Sequence, residues 1–66
     1  MRLAPLAVWF QPVPGALLPQ LETFLAAEAR RQEGPEAALL RWAITATHPT
    51  RGLQIEAVLL VEGGNG

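Results

Sequence analysis

Proline and glycine punctuation limits this chain more than any other feature. Gln11-Pro12-Val13-Pro14-Gly15, Gly34-Pro35 and His48-Pro49-Thr50-Arg51-Gly52 divide it into pieces no longer than one helix or one strand. The 66 residues then allow a single small domain over 1–62, followed by a glycine-rich tail, 63–66, expected to be flexible.

The first piece, Arg2 to Gln11, alternates as a strand does: Leu6, Val8 and Phe10 face one way, Ala7, Trp9 and Gln11 the other. Pro5 has no N–H for a ladder, so this strand belongs at a sheet edge. The second piece, about Leu17 to Glu33, reads as a helix. Leu18, Leu21, Leu25 and Ala29 recur at helical spacing, with Leu17 and Phe24 widening the stripe. Pro19 suits its first turn and Gly34-Pro35 its end, while Arg30 and Arg31 complement the dipole there.

The last two pieces read as a hairpin. Leu40, Trp42, Ile44 and Ala46 alternate with Arg41, Ala43, Thr45 and Thr47. Leu53, Ile55, Ala57, Leu59 and Val61 alternate with Gln54, Glu56, Val58 and Leu60. Both apolar sets share a face only across a loop with an even number of residues, and Pro49-Thr50-Arg51-Gly52 provides four. A second helix over Pro35–Thr45 competes, because Glu36-Ala37-Ala38-Leu39-Leu40 is made of helix formers. The alternation and the β-favouring Trp42, Ile44, Thr45 and Thr47 favour the strand.

Strand, helix, strand, strand gives an α+β domain. A right-handed crossover makes the first two strands parallel. Inserting the third between them yields sheet order 1-3-2 with one long helix on one face, a truncated ferredoxin-like arrangement.

The inventory of side chains excludes much chemistry. The chain has no Cys, Ser, Asp, Lys or Tyr, which removes the common nucleophiles and disulfides. Five arginines against six glutamates leave a net charge of -1, not the basic footprint of a nucleic-acid binder. His48 and the glutamates have no metal-ligand spacing, and no phosphate loop or nucleophile elbow is present. No catalytic, cofactor-binding or metal-binding residue is therefore expected, and no enzyme. The N-terminal apolar run is too short for a secretory signal, and none approaches the roughly 18 residues of a membrane span. A soluble, cytoplasmic protein is expected, and the lysine-free composition suits a GC-rich bacterial genome.

A chain of this length buries only about 60% of its unfolded surface and commonly needs a disulfide, a metal or a partner. With the first two missing, self-association is expected, a homodimer or a higher oligomer, and association with another protein is a further possibility. The face opposite the helix takes Trp9, Arg41, Ala43, Thr45, Thr47, Gln54, Glu56, Val58 and Leu60. Its end away from the hairpin loop gathers Leu39, Val58 and Leu60, together with Trp9. Trp9, Leu39, Arg41, Val58 and Leu60 are the expected interface. Glu28 and Gln32 fall in the helix's apolar stripe, either beyond the sheet and wet, or with Glu28 paired to Arg41 or to a second chain's arginine. His48 and Arg51 read as turn residues.

The element order, the length and a tryptophan on the second strand, Trp42 in Leu40-Arg41-Trp42, resemble the dodecins, small flavin-storing proteins, with Gln54 as the polar flavin contact. The resemblance implies a flavin-like aromatic ligand held at an oligomer interface. The chain departs from that family in its shorter hairpin, in the missing Gly-Thr-Ser-type segment, and in placing Trp42 and Gln54 on opposite faces. An oligomeric, non-enzymatic interaction protein with an assembly or regulatory role is the first expectation, and the ligand binder the alternative.

Overall fold

The chain forms β1 (Arg2–Phe10), α1 (Leu17–Glu33), β2 (Ala38–His48) and β3 (Gly52–Val61), in the expected order. The structure, a computed structural model, describes residues 1–62, so the expected tail at 63–66 lies outside the described residues. The sheet order is β1-β3-β2 and both ladders are antiparallel. β1 and β2 therefore run the same way on either side of β3. The fold is α+β, compatible with a truncated ferredoxin-like arrangement. Pro35–Thr45 is no second helix, since strand begins at Ala38. Pro5 sits in an edge strand, as its missing N–H requires.

α1 buries Leu21, Leu25 and Ala29, one residue per turn, against Ala4 and Leu6 of β1 and Ile55, Ala57, Leu59 and Val61 of β3. Its middle and its C-terminal end are each tied to β1. Phe24 meets Phe10, the last residue of β1, with ring centroids 4.8 Å apart, and Arg2 donates to Glu33 at 2.6 Å. The turn before Leu21 projects past the sheet, so Leu17 and Leu18, expected in the stripe, stand exposed, Leu18 at 58%. The helix ends as expected. Gly34 takes φ 103°, and its N–H bonds the Arg30 carbonyl at 2.9 Å.

The β2–β3 hairpin solves the face problem differently from the even loop anticipated. His48 lies opposite Gly52, so the loop holds only Pro49, Thr50 and Arg51. An odd loop alone would turn Trp42 and Ile44 away from the helix. A bulge at Thr45 supplies the missing residue, and Ile44 then faces Ile55 and Trp42 faces Ala57. A second bulge at Leu40 brings Leu39 opposite Leu59. Trp42 and Ile44 thus keep the expected face. Leu40 and Ala46 do not: Leu40 is 52% exposed and Ala46 lies opposite Gln54. Leu39 is also corrected, for it packs on the core side and not on the open face. Ile44 stays 42% exposed although Ile55 opposite is fully buried. Ile44 lies on the outer strand β2, none of whose residues is fully buried.

Gly52 holds this hairpin geometry. It has φ 91°, and a Cβ there would overlap the Phe10 carbonyl and lie 3.1 Å from Cα of Gln11. Gly34 shares the positive φ but faces open space. Gly52→Ala is expected to lower stability by about 2 kcal/mol or more, from the backbone penalty and the overlap together. Gly34→Ala, with the backbone penalty alone, is expected to cost about 1 kcal/mol. Urea denaturation of both variants checks this, and equal losses would contradict the close approach of β1.

Candidate interaction face

The face opposite α1 is set by register. Across β1, β3 and β2 its rows are Leu3–Leu60–Ala38, Pro5–Val58–Arg41, Ala7–Glu56–Ala43 and Trp9–Gln54–Ala46. Among the described residues no second helix covers it. The two ends of the face differ in chemistry, and the difference follows from which residues the ladders align.

The hairpin end is occupied. Arg51 lies over the Trp9 ring, 5.5 Å from its centroid, and His48 meets the ring edge-on at 6.0 Å. His48 Nδ1 accepts the N–H groups of Thr50 and Arg51, both at 3.2 Å, so the imidazole caps the turn. Gln11 Nε2 donates to the Thr50 carbonyl at 2.6 Å and fastens the loop to the end of β1. His48 and Arg51 are turn residues, as expected. Trp9 is corrected in position: it pairs with Gln54 at this end and does not join the apolar group at the other. The bulged Thr45 turns its hydroxyl onto the same face, 3.0 Å from Glu56 Oε2 and 3.3 Å from Gln54 Oε1.

The other end is apolar. Leu3, Pro5 and Ala38 are exposed, Leu3 at 61%, beside the half-buried Val58 and Leu60. Leu3, Pro5 and Ala38 join the expected Val58 and Leu60, and Leu39 leaves the group. No signal within the first strand reveals this, because the alignment of Leu3 with Leu60 exists only once β1 has paired with β3. Arg41 stands beside Val58 on this face, and among the described residues it has no ion-pair or hydrogen-bond partner. A hollow of about 160 Å³ opens there, lined by Arg41, Trp42, Ala43, Glu56, Ala57 and Val58.

Glu28 is paired, though not with Arg41. Arg31, one turn along the same helix, donates to it at 2.5 Å and holds its carboxyl below the ordinary range. Gln32 also donates to Glu28, at 3.5 Å. This pair lies on α1 and belongs to the helix side of the sheet.

A larger groove, about 510 Å³, lies between the start of α1 and the end of β1, lined by Phe10, Gln11, Val13, Pro19, Gln20, Thr23 and Phe24. Its amides serve the fold. Gln20 Oε1 accepts from the Val13 N–H and Gln20 Nε2 donates to the Val13 carbonyl, both at 2.9 Å, while Gln11 Nε2 is held by Thr50. The groove lacks the converging polar groups that orient a small ligand. Trp42 and Gln54 lie on opposite faces of the sheet, so the two contacts implied by the dodecin resemblance do not meet. Among the described residues no three His, Cys, Asp or Glu side chains gather to hold a metal ion, and no helix is long and apolar enough to cross a membrane. Comparison with protein-family models, with curated proteins and with solved structures finds no match.

Trp9→Ala removes the surface on which Arg51 and His48 rest. With the ring only half-buried, a loss of about 1–3 kcal/mol is expected, below that of a fully buried tryptophan. Chemical denaturation measures the loss. Light scattering of the same variant should return the parent's mass, because Trp9 lies outside the apolar end.

Proposed function

We propose that this protein is a non-enzymatic interaction module that works as a homo-oligomer, in the first instance a two-fold homodimer joined through the sheet face opposite α1. The observation that carries this reading is the apolar end of that face, Leu3, Pro5, Ala38, Val58 and Leu60, left uncovered on a chain with little else to bury. Among the described residues the buried apolar set is Ala4, Leu6, Leu21, Leu25, Ala29, Ala37, Ile55, Ala57, Leu59 and Val61, and four of these ten are alanines. Such a core leaves little net stability once chain entropy is counted. Covering the open face gives the sheet a second apolar layer.

The edges of the sheet point to the same conclusion. Pro5 interrupts one edge strand, and bulges at Leu40 and Thr45 interrupt the other. Both devices discourage strand addition at an edge. Face-to-face packing remains, and a two-fold axis is the commonest way for a patch to meet its own copy. The role is that of an assembly or regulatory partner whose surface does the work. The reading assigns it to the cytoplasm, as suits a chain without cysteine.

Val58→Glu with Leu60→Glu puts two charges in the middle of the patch. The parent is expected to scatter light as a dimer or larger species whose helix signal falls on dilution, and the double variant as a monomer with a reduced helix signal that dilution does not change. A parent that stays folded at the monomer mass through the dilution series would remove the reading.

A further inference from the structure

We propose that the two copies are held in register by reciprocal ion pairs, Arg41 of each chain meeting Glu56 of the partner subunit. The inference rests on the homodimer reading above and specifies how that interface is matched.

Arg41 lies opposite Val58 and Glu56 lies opposite Ala43, so the two charges stand diagonally on one face, one step apart along the ladder. In the rows from Leu3–Leu60–Ala38 to Ala7–Glu56–Ala43 they are the charged side chains. Arg41 has no partner among the described residues, whereas Arg2 and Arg31 each hold a carboxylate. Glu56 accepts the Thr45 hydroxyl and has further lone pairs free. The hollow of about 160 Å³ separates them, bordered by Ala43 and Val58. It is an open depression bordered by both charges, where an incoming side chain can enter.

An apolar face cannot be covered around an unpaired guanidinium and carboxylate without a large desolvation penalty. A face bearing one charge of each sign side by side is complementary to itself. A two-fold axis midway between Arg41 and Glu56, over Val58 and Ala43, brings each arginine to the partner's Glu56 and makes both pairs at once. Small side chains lie along that axis and let the sheets approach. A foreign surface of one sign would match one of the two charges and repel the other.

Mixing single variants tests this pairing. Arg41→Glu alone and Glu56→Arg alone place like charges across the axis twice. Each is expected to weaken the dimer by roughly a hundredfold or more. An equimolar mixture of the two is expected to form a heterodimer, resolved by mass in native mass spectrometry, with affinity restored to near the parent's. An Arg–Glu pair within one chain and outside the interface would give no such rescue, because each variant would carry its own repulsion into the mixture. A mixture without heterodimer, or single variants as dimeric as the parent, overturns the pairing while a dimeric parent keeps the interface reading. A monomeric parent overturns both. Circular dichroism of each variant, alone and mixed, separates loss of association from loss of the fold.

Discussion

Every interstrand ladder in this protein ends on β3. β1 and β2 do not pair with each other, so the two pairings of β3 decide together which residues lie under the helix and which lie on the open side. On β3 itself the division is simple: Ile55, Ala57, Leu59 and Val61 are buried, while Gln54, Glu56, Val58 and Leu60 look the other way. The difficulty falls on β2, whose loop to β3 holds an odd number of residues. The bulge at Thr45 absorbs the mismatch and, in the same step, sends the Thr45 hydroxyl to Gln54 and Glu56. One irregularity of backbone therefore serves both faces.

The core that results is one-sided. The helix seals Leu21, Leu25, Ile55 and Leu59 completely, yet leaves Ile44 at the margin and the apolar end of the opposite face open. Alanines at positions 4, 29, 37 and 57 allow close approach but bring little apolar area. A two-layer arrangement this thin has its greatest possible gain in covering the second face of the sheet. The proposed association follows from that shortage as much as from the patch itself.

The two ends of the molecule are built differently. At the hairpin end, Gln11, His48, Arg51 and Trp9 tie the hairpin loop to the strands and Gln20 ties the β1–α1 loop to the helix, through hydrogen bonds and ring contacts. Polar groups there are used up in holding the fold. At the opposite end the Arg2–Glu33 pair fixes the helix on one side of the sheet, and the other side carries aliphatic side chains with Arg41 beside them. Chemistry suited to recognition is found where local structure makes no claim on the side chains.

Much of this was written in local pattern. Helical spacing with Gly34-Pro35 behind it delimited α1, Pro5 placed β1 at an edge, and strict alternation divided β1 and β3 into their two faces. These features are legible because each depends on residues within a few positions of one another. The sides taken by Leu39, Leu40 and Ala46, the place of Trp9 beside His48 and Arg51, and the alignment of Leu3 with Leu60 were decided by tertiary structure alone. Each of them turns on how the hairpin closes. That closure depends on Gly52 lying against the Phe10 carbonyl and on Gln11 reaching Thr50, contacts between segments about forty residues apart. Periodicity states that a strand has two faces; only long-range packing decides where a bulge exchanges them.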